Sequence, residues 1–374
     1  MDPNHPGSSS SGPVPSFQPP TSGTAVTAEA VSVPRRRSRW PWVLALLVGG
    51  PMIAMLCFSM MLNSVLMSSA GEDAQVREKN VEHPGTVATA DGKIAVITIS
   101  GAILSPEGYV KQQIDKVRKD ENVKAVVLRI NSPGGTVTAS DYLYHHLLKL
   151  KEERDIPIVV SMGSICASGG YYIAMAVDGQ SETVFAEPTT WTGSIGVIIP
   201  HYDISGLLGK YEIKNDSIAS HRLKQLGSST KKMTDEERKI LQEMVIISFN
   251  SFKEIVLKGR PGIDNETKDD NGLTALDRVA TGQVFTASQA KENGLIDEIG
   301  FIEKAIDRAI KLASVDPGDV HVVKYRRPPT LIGQFLGASA PARPVDAQAL
   351  IDLATPRAYY LYSALPALVT NEAQ

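Results

Sequence analysis

Ser168 is the residue whose setting best suits nucleophilic chemistry. It stands among small residues in the stretch CASGGYY, residues 166–172, between an apolar strand predicted over 157–162 and an apolar helix that continues through 173–176. A serine at such a strand-to-helix turn should expose its hydroxyl to an incoming carbonyl group. Its own amide would point to where an oxyanion forms, at a helix N-terminus that favours negative charge. The alternative interpretation is an N-cap serine followed by glycines that serve packing.

A second glycine-bearing turn lies upstream, in the stretch NSPGG over residues 131–135. It follows a strand predicted over 123–130 and precedes a helix predicted over 138–150. Adjacent glycines let the backbone turn sharply and present amides to a ligand, although Pro-Gly and Gly-Gly also mark ordinary turns. Two such turns in successive units predict that the amides of Gly135 and Ser168 surround one carbonyl oxygen.

Four motifs together resemble the signal peptide peptidase A family of serine peptidases. They are residues 131–135, residues 161–172, the stretch TGSIGV over 192–197 and the stretch AKENGLIDEIG over 290–300. Their order matches, and the resemblance covers about residues 93–324. Each motif occurs once, as in the short, single-repeat form of the family.

The resemblance implies a Ser–Lys dyad, with Ser168 as nucleophile, Lys224 as general base and the Ser194 hydroxyl orienting the lysine. An ordinary lysine, with a pKa of about 10.4, is protonated at neutral pH, so the base must lie in an apolar, water-poor site that lowers its pKa. The residues around Lys224 depart from the family pattern, in which a glycine commonly precedes the lysine and a proline follows it. The other candidate lysines in this part of the chain are Lys214, Lys231 and Lys232.

A histidine-based triad is the rival mechanism. The seven histidines lack a motif context, and His221 is the one close to Lys224 in sequence. The chain also has two cysteines, Cys57 and Cys166. Cys57 lies in the apolar N-terminal segment, so the two are not expected to pair. Cys166 adjoins the serine turn, but a small buried residue is the expected role.

Composition argues against several other functions. The formal net charge is −3, and the sequence holds no clustered Cys/His set, no phosphate loop and no basic stretch beyond residues 35–39. We therefore predict no metal, no nucleotide or other cofactor, and no nucleic acid partner.

The N-terminal part of the chain predicts a membrane anchor. Residues 1–39 indicate a disordered cytoplasmic tail with a basic end. Residues 40–68 form the predicted transmembrane segment, since no charge occurs between Arg39 and Glu72 and a span needs about 20 residues. The arginines orient the N-terminus toward the cytoplasm, which places the catalytic domain across a bacterial cytoplasmic membrane. A cleaved signal peptide is the alternative.

The rest of the chain divides into a connector over 69–92, a peptidase domain over 93–325 and a C-terminal tail over 326–374. The tail is expected either to pack on a neighbouring subunit or on the membrane surface, or to be disordered. The domain begins with a strand over 94–99 and a helix over 109–119, and strands and helices continue to alternate. This pattern predicts an α/β fold with a partly parallel sheet. A long helix is predicted over 234–258, with apolar faces supplied by Ile240, Leu241, Met244, Val245, Ile247, Phe249 and Phe252. The family resemblance implies a ClpP/crotonase-like spiral of ββα units.

The expected function is that of a membrane-anchored serine endopeptidase that degrades remnant signal peptides and other extended peptides. The resemblance further implies a ring-like homo-oligomer in which Ser168 and Lys224 meet across a subunit boundary. The alternatives are a catalytically inactive scaffold of the same fold, a stomatin-cleaving type of membrane serine protease, and a crotonase-like acyl-CoA enzyme.

Overall fold

The computed structural model describes residues 76–326 and 358–361. The predicted tail over 1–39 and the predicted anchor over 40–68 lie outside the described residues, as does most of the tail after 326. Within the two described ranges, no helix combines the length and apolar character needed to cross a membrane.

Eleven strands and eight α-helices make up the described part of the chain. The strands are β1 (Arg77–Val81), β2 (Gly92–Ser100), β3 (Val123–Ser132), β4 (Gly134–Thr136), β5 (Ile158–Ala167), β6 (Val184–Ala186), β7 (Trp191–Gly193), β8 (Val284–Thr286), β9 (Glu298–Ile299), β10 (Val320–Arg326) and β11 (Tyr359–Leu361). The helices are α1 (Tyr109–Lys119), α2 (Val137–Arg154), α3 (Gly169–Ala174), α4 (Ser205–Lys210), α5 (Asp235–Gly259), α6 (Ala275–Val279), α7 (Ala287–Glu292) and α8 (Ile302–Leu312).

A nine-stranded sheet forms the centre of the fold. Its main run has the order β1-β10-β2-β3-β5-β6-β9, and all neighbours in it are parallel except β1 and β10. Strand β7 adds a parallel partner to the far end of β5, and β8 pairs antiparallel with β7. A separate antiparallel pair joins β11 to β4. The prediction of a mixed α/β fold with a partly parallel sheet is confirmed.

Both faces of the sheet are covered, which explains the nearly continuous apolar runs of its central strands. Successive residues of β2 alternate between the two cores. Ala95 and Ile97 pack on the face that carries α1 and α2, while Ile94 and Val96 pack on the face covered by α8. The arrangement leaves the ends of β3 and β5 free to carry the two glycine turns.

Local sequence signals account well for the helix bounds. Helix α1 covers the predicted residues, and α5 begins after Thr234, which forms a capping box with Glu237. Strand β5 is longer than predicted, because after an irregularity in its pairing with β3 it continues to Ala167 alongside β7. That extension depends on a partner strand distant in sequence, so the local pattern did not reveal it.

The prediction for the apolar faces of α5 is only partly correct. Leu241 and Phe252 are buried, whereas the side chains of Met244 and Ile247 are 50% and 66% exposed. The C-terminal half of α5 packs on the core, and its N-terminal half leaves apolar surface uncovered.

A charged network attaches the end of α5 to β6. Asp297 accepts the backbone amides of Thr183 and Val184, each at 2.9 Å, and pairs with the Arg260 guanidinium at 2.8 Å. Burial raises the pKa of Asp297, but the hydrogen bond and charge of Arg260 and the two amides outweigh it and hold the pKa below its ordinary value.

Replacing Asp297 with asparagine should lower the free energy of unfolding by roughly 2 kcal/mol at pH 7, because Arg260 loses its buried partner. A carboxyl with a depressed pKa stabilises the fold above its unfolded pKa of about 4, and this contribution disappears as the pH falls through the folded pKa. The difference between parent and Asp297→Asn should therefore shrink on acidification, as measured by urea unfolding. The exposed Asp270→Asn is the control, and a constant difference at all pH values would contradict the assignment.

Candidate active site

Ser168 lies in a strained turn between β5 and α3. Its backbone has φ 55° and ψ −116°, a positive-φ conformation that non-glycine residues rarely adopt. Such strain persists only where surrounding contacts enforce it, and it is concentrated at functional sites. The residue is 1% exposed. The expectation of an exposed hydroxyl is thus wrong for this chain, in which β11 packs against α3 next to the turn.

The main chain of Ser168 is fixed while its side chain is left unbonded. The amide donates to the Gly193 carbonyl at 2.8 Å, and the Ser168 carbonyl accepts from the Tyr172 amide at 2.8 Å. The Ser168 hydroxyl makes no cap bond to α3 and no hydrogen bond to any other described residue. The N-cap alternative therefore lacks its defining bond. The prediction that the Ser168 amide serves an oxyanion is wrong, because the β7 carbonyl already accepts that amide.

Ser194 occupies the matching position on the neighbouring strand. Ala167 pairs with Gly193 in the parallel register of β5 and β7, so Ser168 and Ser194 are the first residues beyond the paired ends. Ser194 also has a positive φ, 49°, and is 5% exposed. Its amide donates to the Gln283 carbonyl at 2.7 Å. The structure thus brings Ser194 beside Ser168.

The upstream glycine turn approaches the same place at very short range. A Cβ added to Gly135 would lie 1.9 Å from the Ile103 carbonyl oxygen, and one added to Gly134, whose φ is 101°, would lie 2.6 Å from the Gly169 nitrogen. A Cβ on Gly169 would in turn lie 3.1 Å from the Gly135 nitrogen. Three segments of backbone meet here at distances that exclude side chains.

Gly169 is the donor that the sequence analysis missed. It is the first residue of α3, and the amides of a first helical turn have no intrahelical acceptor. The glycine amides beside the serine turn are those of Gly135 and Gly169, whereas the Ser168 amide is bonded to the Gly193 carbonyl. The available signal was the position of Gly169 directly after the serine, at the start of a helix.

Aromatic side chains surround the turn on the α3 side. The Tyr172 hydroxyl donates to Asp141 at 2.7 Å, and burial followed by that carboxylate raises the pKa of Tyr172. Burial, with smaller effects of Asp178 and Asp141, raises the pKa of Tyr144 to about 12. Both phenols are neutral near pH 7.

Cys166 is fully buried, and burial raises the pKa of its thiol far above the ordinary value. A neutral, inaccessible thiol does not serve as a nucleophile. This agrees with the predicted packing role.

The candidate lysines differ clearly in their surroundings. Lys224 is exposed in the short turn Arg222–Gln225, and no described residue accepts a hydrogen bond from its amine. Lys231 donates to both carboxylate oxygens of Glu237, at 2.6 and 2.7 Å. The hydrogen bond from Lys231 is the largest cause that lowers the pKa of Glu237, so the Lys231 amine is engaged by that carboxylate. Lys214 and Lys232 are exposed. None of the four is hydrogen-bonded to Ser168 within the described chain.

The described histidines do not build a triad with Ser168. His221 caps the turn that carries Lys224, since its Nδ1 accepts the Leu223 amide at 3.2 Å. His83 pairs with Asp307 at 2.8 Å, beside α8. No histidine within residues 76–326 is hydrogen-bonded to the serine hydroxyl, so the geometry of one chain gives the triad no support.

Comparison with known proteins places these residues in a family. The family model "Peptidase family S49" matches residues 150–316, which include Ser168, Ser194 and Lys224. A protein of Enterococcus faecium, provisionally named signal peptide peptidase SppA, is 36% identical over 250 residues, which cover 64% of this chain and 68% of that protein. The chain belongs to peptidase family S49. The resemblance seen in the four sequence motifs is thereby confirmed.

Two further relatives show how much of an S49 protein the chain spans. Protease 4 of Salmonella typhi is 32% identical over 259 residues, 67% of this chain but 39% of that protein. The chloroplastic serine protease SPPA of Arabidopsis thaliana is 29% identical over 258 residues, 65% of this chain and 36% of that protein. The S49 chain thus spans well under half the length of these two relatives.

In this S49 chain, Gly135→Ala should lower the free energy of unfolding by about 1 to 3 kcal/mol, because the new Cβ would overlap the Ile103 carbonyl. The substitution therefore tests packing and not the oxyanion alone. Gly206→Ala is the matched control, since a Cβ there meets nothing within 4 Å. Thermal unfolding followed by circular dichroism measures both, and equal melting temperatures would refute the close approach.

Proposed function

We propose that this chain is a membrane-anchored serine endopeptidase that degrades remnant signal peptides and other extended peptides through a Ser168–Lys224 dyad. The observation that carries the proposal is the unbonded Ser168 hydroxyl, held in a strained turn beside the glycine amides. Family membership and protease-named relatives support hydrolysis of peptide bonds. The relatives' names associate the family with signal peptides.

The proposed chemistry is acyl transfer. The Ser168 oxygen attacks the carbonyl carbon of a peptide bond, and its proton passes to the neutral Lys224 amine. The amides of Gly135 and Gly169 stabilise the oxyanion of the tetrahedral intermediate. The protonated lysine then donates to the leaving amine, and the acyl-enzyme remains. Water, deprotonated by the same lysine, releases the second product and restores the serine.

The base must come from a neighbouring subunit in this proposal. Lys224 is exposed in the described chain, and a lysine that acts as a base needs a water-poor site, which contact with another subunit would supply. Large apolar side chains are also exposed in the residues before and after Lys224. They are Tyr202, Leu207, Tyr211, Ile213, Ile218, Met244 and Ile247. Apolar surface of this extent supports an interface. A head-to-tail contact that closes into a ring would bury it and bring Lys224 to the next subunit's Ser168.

The proposal also includes the parts that lie outside the described residues. A transmembrane segment over 40–68 would hold the peptidase domain on the extracytoplasmic side of a bacterial cytoplasmic membrane, near newly released signal peptides. The ClpP/crotonase-like spiral of ββα units is the fold proposed for the domain. The covered sheet faces and the separate β4–β11 pair support it.

A catalytically inactive scaffold is the second candidate, favoured by the exposure of Lys224 and the missing base beside Ser168. The relatives reported above are named as peptidases or proteases, which gives the acyl-CoA alternative no support. A stomatin-cleaving specificity differs from the main proposal only in substrate.

Ser168→Ala should abolish labelling by a fluorophosphonate probe and cleavage of a quenched fluorescent peptide. The expected loss is at least about 1,000-fold, because no other group can form the acyl-enzyme. Ser164→Ala is the matched control, since Ser164 lies on β5 shortly before the turn and its hydroxyl donates to Asn131 at 2.6 Å. Retained labelling of the Ser168 variant would overturn the assignment of the nucleophile, and no labelling of the parent assembly would favour the scaffold.

Lys224→Ala should be as inactive as Ser168→Ala, whereas Lys214→Ala should keep most activity. Mixing Ser168→Ala with Lys224→Ala subunits should restore roughly a quarter of parental activity if each site takes one residue from each neighbour. Peptide cleavage after dissociation and reassembly of the mixture measures this. An active purified monomer, or no recovery in reassembled rings, would contradict the shared site.

A further inference from the structure

We infer that four basic side chains on strands β1 and β10 form a surface that binds anionic phospholipid headgroups. They are Arg77, Lys79, Lys324 and Arg326, and together they are termed the basic quartet. The inference rests on the membrane anchor of the proposed function and goes beyond it. The quartet gives the peptidase domain a second, electrostatic contact with the bilayer and thereby an orientation on it.

The quartet consists of two pairs of like charges that lie directly opposite each other on antiparallel strands. In the register of β1 and β10, Arg77 pairs with Arg326 and Lys79 pairs with Lys324. Opposite residues of such a ladder have Cβ atoms about 5 Å apart, and the next pair on the same face lies about 7 Å along the strands. The four positive charges therefore occupy one compact patch.

All four side chains leave the sheet on the face that carries α8. Val81 and Val322 pack into the core on that face, and the quartet residues lie two and four positions from them along the two strands. Residues separated by two positions in a strand share a face. Glu78 lies between the two basic residues of β1 and belongs to the other face, where it pairs with Lys93 at 2.8 Å.

The described chain offers the quartet no counter-charge. None of its side chains is ion-paired with a carboxylate within residues 76–326 and 358–361. Three of the four residues are exposed, and Lys324 is half-buried. Like charges directly opposite each other destabilise a sheet. Anions bound between the members of each pair would remove that repulsion, so the arrangement favours a negatively charged partner.

Protection of the sheet edge would explain only half of the quartet. Strand β1 is the edge strand, and basic side chains on such a strand discourage pairing with other chains. Strand β10, however, lies between β1 and β2 and is paired along both of its edges. Its two basic residues are not needed for that purpose, yet they stand opposite basic residues of β1.

The place of the quartet in the chain selects a membrane as the partner. Arg77 follows the end of the proposed transmembrane segment at residue 68 by nine positions, and this stretch spans at most about 32 Å when fully extended. So short a tether keeps the effective concentration of headgroups at the quartet high. Each basic group beside an anionic membrane surface tightens binding to it by about five-fold.

Docking of the quartet would also turn the serine toward the bilayer. Strands β10, β2, β3 and β5 are parallel, so their carboxyl ends lie at the same edge of the sheet. Lys324 and Arg326 are at the carboxyl end of β10, and Ser168 directly follows β5. A domain held by the quartet would therefore present this edge to peptides that leave the membrane.

The test uses the full-length chain in lipid nanodiscs, with a donor dye on Asn80→Cys in a Cys57→Ser background and an acceptor dye on the lipid headgroups. Asn80 is exposed on β1 and Cys166 is fully buried, so the new thiol is the one that reacts. We expect more energy transfer in discs that contain phosphatidylglycerol than in discs of phosphatidylcholine alone. The excess should vanish in about 1 M salt, where the Debye length is about 3 Å.

Charge variants with a matched control separate the quartet from the net charge. Lys79→Gln combined with Lys324→Gln should lower the equilibrium constant for docking on phosphatidylglycerol by about 25-fold, since two basic groups are lost. This variant should melt no lower than the parent, because a like-charge pair is removed. Lys268→Gln combined with Lys291→Gln removes the same charge from exposed residues elsewhere and should dock as the parent does. Equal losses in the two double variants would overturn the quartet.

The outcomes also distinguish this inference from the proposed function. Energy transfer that does not depend on phosphatidylglycerol, in discs that hold the parent chain, would overturn the quartet and leave the anchor in place. A chain that alkaline carbonate extracts from membranes, but that binds phosphatidylglycerol vesicles through the quartet, would remove the anchor from the proposed function and keep the surface.

Discussion

The pairing of β5 with β7 is the interaction on which the site depends. It begins after the irregularity in the pairing of β5 with β3. It ends at the hydrogen bond from the Ser168 amide to the Gly193 carbonyl. That bond holds Ser168 in a conformation that costs on the order of 1 to 3 kcal/mol. Without β7 the serine would relax toward an ordinary turn, and α3 would begin in another direction. Strand β7 leads directly into Ser194, so one pairing positions the hydroxyls of both serines.

The second constraint is the close packing of backbone around Gly134, Gly135 and Gly169. Each lacks room for a Cβ, since the nearest atoms would lie between 1.9 and 2.4 Å away. The glycines are thus required by the meeting of three segments, with the positive φ of Gly134 as a further reason. The same closeness directs two amides to one point. Packing and electrostatics are therefore inseparable here, and a substitution at these positions changes both.

The described chain forms the surroundings of Ser168 but places no lysine beside its hydroxyl. The glycine amides, the strained serine and the neighbouring rings of Tyr172 and Phe252 are all formed within residues 76–326, and strand β11 pairs with β4 beside them. The proposed base, by contrast, lies on a segment whose apolar side chains are exposed in the described part of the chain. The proposed shared site requires this arrangement, because the base would gain a water-poor environment only from another subunit.

Much of the fold followed from local sequence. Residues close together in the chain determine the apolar runs of β2 and β3, the bounds of α1 and the capping box of α5. The motif around Ser168 predicted the strand-to-helix turn there and the family of the chain. What the sequence could not decide were contacts between distant segments. The Gly193 carbonyl accepts the Ser168 amide, so the free amide at the start of α3 is that of Gly169, and a serine that was expected to be exposed is buried. Periodicity reports which face of an element is apolar, but the partner of a particular hydrogen bond is chosen only when segments far apart in the chain meet.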